Sequence, residues 1–377
     1  MARTMAGGRS SGFAERWFRL AEHGTDLRTE LLAGLTTFLV MSYIIAVNPS
    51  ILGFNGQLGI TAVATVTCLV AGVMSIAMGL YTNRAIAIAP GLGLNAIVAF
   101  TLVGSMGLTF PQAMGVVVTE GILITLLVLL GVRRFVLDVV PLVLKQAIAV
   151  GIGFFILFLG LRNAGLITFI SGTDAPVGTS TGLLSLTPLD TWPIFVAIAG
   201  FLVTIVLIAR EVRGAILWGI LFATVIAFIV PGDVATFPAD PLAGPDFSPV
   251  GNFSFDFIGE LGILTALLAV LSLMLADFFD TMGTLVGVGS QAGYLDENGE
   301  LPDAQKPLLI DSLAAVAGGA ASASSATSYI ESAAGVSVGG RTGLVSVTTG
   351  LLFLLALPFV ALVNAIPAVA TAPALIV

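Results

Sequence analysis

Long apolar segments separated by short polar turns run through nearly the whole chain. Each is close to the about 20 residues that an α-helix needs to cross a bilayer. They lack the alternation of apolar and polar positions that marks the strands of an outer-membrane barrel. The pattern predicts an all-α polytopic membrane protein, with a Gly/Ser/Thr-rich loop at 163–190. The continuous spans are predicted at about Leu31–Val47, Ile60–Leu80, Gln112–Gly131, Leu142–Leu161, Trp192–Ile208, Gly214–Val230, Leu261–Gly283, Pro307–Ala320 and Gly343–Val363.

Two further apolar regions are interrupted by glycine, proline and serine. The first, Ala85–Ala96, contains Pro90 followed by glycine, and the second, Ala323–Gly340, contains the ionisable Glu331. Each predicts a short extended piece, a break and then a short helix, with the extended piece of the second region at Ala326–Ile330. Broken spans of this kind form the substrate sites of many transporters. The alternative is a re-entrant loop that only packs between helices through its small residues.

The composition agrees with a membrane protein. Hydrophobic residues make up 57% of the chain and charged residues 10%, whereas soluble domains carry about a quarter charged residues. The net charge of −8 does not indicate a nucleic-acid partner, because the acidic residues lie mostly in loops. A single cysteine, Cys68, excludes a disulfide framework. Residues 1–27 contain no apolar core typical of a cleavable signal peptide.

The basic residues predict an orientation for the spans. Residues 1–27 are polar and arginine-rich, and they are predicted to form a cytoplasmic arm near the lipid headgroups. If the spans alternate from a cytoplasmic N-terminus, the basic residues fall on the inner side, as the positive-inside rule requires, and only Arg162 falls outside. We therefore expect a multi-pass protein of the cell (inner or plasma) membrane. The inner-side residues include Arg3, Arg9, Arg16, Arg19, Arg84, Arg133, Arg134, Lys145, Arg210, Arg213, Lys306 and Arg341.

The two halves of the chain share an order of motifs. Thr29–Leu35 before the first span resembles Gly259–Thr265 before the eighth, and the broken third and tenth spans occupy equivalent places. Because seven spans is an odd number, a second copy must be inverted in the membrane, which is the plan of many secondary transporters. The chain stops within the expected twelfth span, so a C-terminal truncation is expected. The predicted boundaries are 28–230 for the first repeat, 231–258 for an external loop and 259–377 for an incomplete second repeat.

Four intramembrane acids are candidates for proton coupling or binding. Asp277 and Asp280 lie three residues apart in the eighth span, with Thr284 four further on, so all three are predicted to share one helical face. Such carboxyls need water, a ligand or each other, and a close pair can hold or pass a proton. The alternative is a helix-end cluster exposed to the cytoplasm. Asp311 in the ninth span and Glu120 in the fourth are either proton relays or packing hydrogen bonds.

The broken spans supply the other candidates. Asn95 lies one turn into the predicted half-helix, and the small Gly93 lets a ligand approach the backbone, although Asn95 could equally form an interhelical hydrogen bond. Glu331 and Ser328 lie at the break of the tenth span. A carboxylate accepts hydrogen bonds from N–H groups, and an amide both donates and accepts. The set suits a flat, polar, neutral heterocycle better than an anion, because no cation lies among these residues.

Four motifs resemble those of the adenine/guanine/hypoxanthine permeases, the AzgA-like branch of the nucleobase:cation symporter-2 (nucleobase–ascorbate transporter) family. They are Met41–Pro49, Ala89–Ala96, Asp277–Thr284 and Thr327–Gly335, and the likeness extends over essentially the whole chain. The resemblance implies fourteen spans in two inverted repeats of seven, divided into core and gate domains. It also implies proton-coupled purine uptake by a homodimer, driven by the proton gradient without a cofactor.

The resemblance also implies roles for individual residues. Asn95, Asp277 and Glu331 would contact the purine, and Asp280 would support Asp277 or the proton path. Gly93 and Ser328 complete the predicted substrate-binding set. The predicted proton-coupling residues are Asp280, Glu331, Asp311 and Glu120.

Other functions remain open from the residues alone. A carrier of the same fold could transport uracil, xanthine or a small anion. An intramembrane enzyme that uses Asp277 and Asp280 as an aspartyl pair is disfavoured, because two carboxyls three apart on one helix are poorly placed to flank a scissile bond. A channel differs in lacking saturable, proton-dependent flux. The sequence shows no metal-ligand cluster, P-loop or nucleophile elbow, so no metal is expected.

Overall fold

The apolar segments form helices in the computed structural model, which describes residues 13–53, 58–131, 142–170, 183–241, 243–297 and 301–377. Six helical stretches in this part of the chain are long and apolar enough to cross a membrane. Arg3, Arg9, Arg133 and Arg134, which the orientation prediction used, lie outside the described residues. The six helical stretches are Leu27–Leu52, Ile60–Thr82, Phe110–Leu129, Trp192–Ala209, Ile263–Ala292 and Gly343–Ala365.

The first part of the chain contains helices α1 to α9 and strands β1 to β3. A π-helical segment, Ile97–Ser105, continues α5 without a break. Helix α6 begins at a capping box formed by Thr109 and Gln112, which satisfies N–H groups at the helix start. The helices are α1 Phe13–Phe18, α2 Leu27–Met41, α3 Ile44–Leu52, α4 Ile60–Thr82, α5 Leu92–Ala96, α6 Phe110–Leu129, α7 Leu142–Asn163, α8 Trp192–Ala209 and α9 Ala215–Ile229. The strands are β1 Ile88–Pro90, β2 Ile167–Ile170 and β3 Leu183–Leu186.

The second part contains one strand and six helices among the described residues. Helix α14 continues as a 3₁₀ segment, Leu357–Ala365, where Pro358 removes a backbone donor. The helices are α10 Phe257–Leu261, α11 Ile263–Ala292, α12 Gln305–Ala320, α13 Ser332–Ser337, α14 Gly343–Ala356 and α15 Ala368–Ile376. The strand is β4 Ala326–Ser328.

Three local predictions differ from the structure. The first predicted span divides between α2 and α3 at Ser42 and Tyr43, and α11 ends at Ala292 rather than near Gly283. The predicted loop 163–190 contains the antiparallel pair of β2 and β3. Those strands are too short for alternation to signal them, because about four residues fit a strand or a helix turn equally well.

Glycine brings α4 and α14 into direct backbone contact. A Cβ built on Gly79 would overlap the carbonyl oxygen of Gly343, and one built on Gly350 would overlap that of Gly72. In a bilayer, where lipid tails are as apolar as leucine, helices associate through such close packing of small residues. The α4–α14 contact therefore depends on glycine at these positions.

Close packing at glycine also joins α6 to α12. Gly121 approaches the backbone nitrogen of Val316, and Gly319 approaches that of Val118. In the predicted repeat, the second span (α4) corresponds to the ninth (α12), and the fourth (α6) to the eleventh (α14). The α4–α14 contact in one arrangement therefore corresponds, when each helix is replaced by its counterpart in the other repeat, to the α6–α12 contact. This is the arrangement expected of an inverted repeat.

Replacing Gly79 by Ala is expected to destabilise the protein by about 1–3 kcal/mol, the usual cost of overpacking a close contact. The measurement is the apparent melting temperature of purified protein in detergent. Gly283→Ala is the matched control, because Gly283 is helical and a Cβ there meets nothing within 4 Å. Equal stability of the two variants would contradict the role of glycine in the α4–α14 contact.

One end of the molecule gathers several polar groups. The buried Glu30 carboxylate accepts hydrogen bonds from Arg341 N at 2.7 Å and from Thr342 N and Oγ1 at 3.2 and 2.6 Å. Asn83, whose φ is 51°, ends α4 and donates its Nδ2 to the carbonyl of Phe18. The described part of the arm, the end of α4 and the start of α14 therefore lie at the same end.

Candidate functional site

The two broken spans meet in a short antiparallel strand pair. Strands β1 and β4 pair in the register Ile88 with Ser328, Ala89 with Thr327 and Pro90 with Ala326. Helix α5 follows β1, and α13 follows β4 after a turn. The prediction of two broken spans, each with an extended piece before a short helix, is confirmed.

Serine side chains satisfy the extended backbone around β1. Backbone polar groups at membrane depth need internal partners, since lipid offers none. Ser75 Oγ accepts a hydrogen bond from Ile88 N at 2.9 Å and lies 3.0 Å from Ile88 O. Ser332 Oγ accepts one from Ala87 N at 2.9 Å. These hydroxyls explain why hydroxyl residues are concentrated in the broken spans and their neighbours.

The backbone is also strained where the chain enters β4. Ser322 and Ser324 adopt φ values of 62° and 75°, which are uncommon for residues other than glycine. Such strain persists only where the surrounding structure enforces it, and it is frequent at binding sites. Small side chains at these two positions keep the cost low.

A cavity of about 170 Å³ lies beside the β1–β4 strand pair. It is smaller than the roughly 300–1,000 Å³ of sites for drug-sized ligands, so it suits a small ring compound. Its wall combines two carboxylates and four hydroxyls with apolar side chains, and it contains no Lys, Arg or His from the described residues. The lining residues are Tyr43, Gly91, Leu92, Gly93, Leu94, Ile156, Ala276, Asp280, Thr284, Ser328, Tyr329, Ile330 and Glu331.

The two acids of the cavity are differently held. Glu331, at the start of α13, is half-buried and accepts a hydrogen bond from the Tyr43 hydroxyl on Oε1 at 2.5 Å. Asp280, on α11, is exposed to the cavity and has no hydrogen-bond partner in the described part of the chain. One carboxylate is therefore oriented by the protein, and the other is free to accept a ligand's N–H groups.

The residues predicted as substrate contacts fall into two groups. Gly93, Ser328 and Glu331 lie in the cavity wall. Asp277 is buried behind it, although it belongs to the same helix as Asp280 and Thr284. A rise of about 1.5 Å per residue places Asp277 roughly 10 Å along the axis from Thr284. At that level Ser325 covers it, with Ser325 Oγ at 3.2 Å from Asp277 Oδ2.

Asn95 also lies behind the wall. It is fully buried and donates its Nδ2 to Asn48 Oδ1 at 2.7 Å, and Asn48 donates in turn to Thr67 Oγ1 at 2.8 Å. The interhelical hydrogen bond that sequence reasoning gave as the alternative for Asn95 is present. Asn95 Oδ1 has no partner among the described residues, and its role toward a substrate stays a prediction.

Asp311, predicted as a proton-coupling residue, fixes the position of β4. Its Oδ1 accepts hydrogen bonds from Ser328 N at 2.7 Å and from Ser328 Oγ at 2.6 Å, and its Oδ2 accepts one from Thr281 Oγ1 at 2.5 Å. Three donors satisfy a buried carboxylate without a proton of its own. These contacts favour the packing alternative for Asp311.

Sequence reasoning missed the two tyrosines of the cavity. Tyr43 orients Glu331, and the Tyr329 hydroxyl donates to the carbonyl oxygen of Pro90. A buried tyrosine hydroxyl needs a partner, so a tyrosine within an apolar span or at a break was a usable signal. Neither partner could be identified from the chain, since each lies more than 200 positions away in sequence.

Broken spans that enclose a cavity within a bundle of apolar helices define a multi-pass membrane transporter rather than an enzyme. The chain matches the permease family over residues 28–377. It therefore belongs to that family, and the predicted membership is confirmed.

The curated relatives include two well-covered permeases. The chain is 42% identical over 371 residues to adenine permease AdeQ of Escherichia coli K12, covering 97% of this chain and 79% of the relative. It is 37% identical over 370 residues to guanine/hypoxanthine permease PbuG of Bacillus subtilis 168, covering 96% and 81%.

Solved structures show the same fold at low sequence identity. The transmembrane domain of the cyanobacterial bicarbonate transporter BicA matches with a TM-score of 0.69 and 18% identity, covering 93% of this chain and 86% of that one. SLC26A9 matches with a TM-score of 0.63 and 12% identity, covering 93% and 57%. The predicted fold class, an inverted-repeat transporter of the seven-plus-seven type, is confirmed.

Proposed function

We propose that this protein imports purine nucleobases (hypoxanthine, guanine or adenine) by proton symport, with alternating access to the cavity beside the β1–β4 strand pair. The observation that carries the proposal is the cavity wall, in which Asp280 and Glu331 face a small space that no described cation lines. Relatives named as adenine and guanine/hypoxanthine permeases support the choice of purines.

Substrate recognition follows from the donors and acceptors of the wall. Purines present ring N–H groups, and adenine and guanine add an exocyclic amino group. The carboxylates of Glu331 and Asp280 can accept hydrogen bonds from these donors. Tyr43 holds Glu331 in place, and Gly93 leaves room for a flat ring beside the backbone. Asn95 and Asp277 remain predicted contacts that the described conformation does not bring to the wall.

A second candidate is a carrier of the same fold with another substrate. BicA, which shares the fold, is a bicarbonate transporter. An anion needs a positive partner, whereas the described wall is acidic. Uracil and xanthine offer N–H groups as purines do, so they are the stronger competitors.

Orientation and assembly belong to the same proposal. The arm, Arg84 and Arg341 lie at one end of the molecule, which supports a cytoplasmic N-terminus through the positive-inside rule. Cys68 is buried, so a cysteine placed at exposed Glu22 can be tested with a membrane-impermeant maleimide; labelling from outside intact cells would refute this orientation. The homodimer rests on the family resemblance, and a monomer mass in native mass spectrometry would refute it.

The proposal is tested by uptake of labelled hypoxanthine, guanine and adenine into cells that lack purine uptake, at two external pH values. Saturable purine uptake that a protonophore abolishes is the expected result. Uptake that the protonophore leaves intact would refute proton symport. Transport of uracil, xanthine or bicarbonate, with no purine uptake by correctly inserted protein, would refute the purine assignment.

A further inference from the structure

A second polar cluster lies behind the cavity wall and consists of Glu120 on α6, Asp277 on α11 and Ser325 just before β4. All three side chains are buried. Ser325 Oγ lies 2.7 Å from Glu120 Oε1 and 3.2 Å from Asp277 Oδ2. A serine hydroxyl carries one hydrogen, so it donates to one carboxyl only. If both contacts are hydrogen bonds, the other carboxyl must donate a proton of its own to the serine oxygen.

The remaining carboxyl oxygens of Glu120 and Asp277 also indicate that one of the two groups is protonated. Glu120 Oε2 and Asp277 Oδ1 are buried and have no hydrogen-bond partner among the described residues. The two carboxyls face each other across one hydroxyl, because Ser325 Oγ contacts an oxygen of each. Two ionised carboxylates only accept, whereas a carboxyl and a carboxylate form a hydrogen bond through one shared proton.

The neighbouring acidic groups also disfavour a state in which both Glu120 and Asp277 are ionised. The charged groups that act on Asp277 are the carboxyls of Glu120, of Asp311 on α12 and of Asp280 on its own helix. Asp311 also acts on Glu120. Asp311 is already satisfied by three donors, so it remains a negative neighbour. Two further ionised carboxylates beside it would be costly at membrane depth.

We infer that Glu120 and Asp277, which lie behind the cavity wall in the described conformation, form a proton-binding site that holds one proton between the two carboxyls. The inference deepens the proposed symport by naming the acids that hold the coupled proton, and its transport consequence rests on that proposal. When the proton leaves to water, two charged carboxylates remain with one serine hydroxyl between them.

Ser325 connects this site to the cavity. Its carbonyl oxygen accepts a hydrogen bond from Gly91 N at 2.9 Å, and Gly91 lies in the cavity wall. Repulsion between two ionised carboxylates displaces the serine between them, and the backbone bond transmits that displacement to Gly91. Proton binding behind the wall thereby favours the shape of the cavity that is described here.

The first test is infrared difference spectroscopy of the reconstituted protein at neutral pH, without purine. The spectrum of the unmodified protein minus that of Glu120→Gln is expected to contain the carbonyl band of a protonated carboxyl. Glu30→Gln is the matched control, because Glu30 is equally buried but accepts hydrogen bonds from three donors. Its difference spectrum should contain carboxylate bands and the amide bands of glutamine, without the band of a protonated carboxyl. If Glu120→Gln fails to fold, Ser325→Ala keeps both acids and should shift the same band.

The second test measures the dissociation constant of hypoxanthine by calorimetry over a range of pH. With one linked proton, the constant rises about tenfold per pH unit above the titration of the site. In Glu120→Gln the pair no longer needs a proton, so the constant should change by less than about twofold over the same range. An unchanged pH dependence in this variant would place the linked proton on Asp280 or Glu331 and overturn the inference.

The two tests separate this inference from the proposed function. If hypoxanthine does not bind the unmodified protein, the purine assignment fails, while the infrared spectrum still decides the proton site. A difference spectrum for Glu120→Gln that lacks the band of a protonated carboxyl would show that both acids are ionised and would overturn the site.

Discussion

Glu331→Gln is expected to weaken hypoxanthine binding roughly 10- to 100-fold. The carboxylate lies in the cavity wall, where the Tyr43 hydroxyl holds one of its oxygens. Replacing it removes a charged acceptor, and hydrogen bonds to charged groups contribute about 1.5–3 kcal/mol, with each 1.4 kcal/mol equal to about a factor of ten. Calorimetric titration of the purified protein with hypoxanthine at fixed pH measures the loss.

Three further variants sharpen this prediction. Asp280→Asn should weaken binding to a similar extent, because Asp280 is the free acid of the cavity, whereas Tyr43→Phe should have a smaller effect, since it only removes the group that orients Glu331. Glu260→Gln, on an exposed glutamate, is the control. Unchanged hypoxanthine affinity in a folded Glu331→Gln protein would show that the substrate binds elsewhere.

The sequence was sufficient to predict the bundle and its two broken spans. Apolar length alone located the continuous helices, because a bilayer requires each span to satisfy its own backbone. The break between α2 and α3 near Tyr43 was not predictable, since no proline or glycine marks it and Pro49 lies inside α3. The β2–β3 pair was missed because a contact between short strands depends on partners distant along the chain.

The candidate site was predictable by position rather than by contact. Glu331, Gly93 and Ser328 could be placed near a cavity because breakers and polar residues coincide there. Asp280 faces the cavity, whereas Asp277 does not, because Ser325 lies against Asp277 on α11. The sequence does not indicate this coverage, because the two broken spans must first pair.

Asp311→Ala is expected to destabilise the protein by at least about 3 kcal/mol and to abolish measurable hypoxanthine binding. The change leaves three buried donors, on Thr281 and Ser328, without their acceptor, and each unsatisfied group costs about 1–3 kcal/mol. Ser328 belongs to β4 and to the cavity wall, so the strand and the site are disturbed together. The measurements are the apparent melting temperature in detergent and calorimetric titration with hypoxanthine.

Asp311→Asn separates this structural role from a role in proton coupling. The amide keeps an oxygen for both hydrogen bonds from Ser328, and the Thr281 hydroxyl can rotate to accept a hydrogen bond from the amide N–H of the new side chain. Most of the stability and binding should therefore be retained, although neither variant has a carboxyl at this position. Asp256→Asn, at an exposed acid, controls for the loss of charge. If Asp311→Asn is as inactive in proton-driven uptake as Asp311→Ala while remaining stable, Asp311 carries the proton, and its three donors only modulate it.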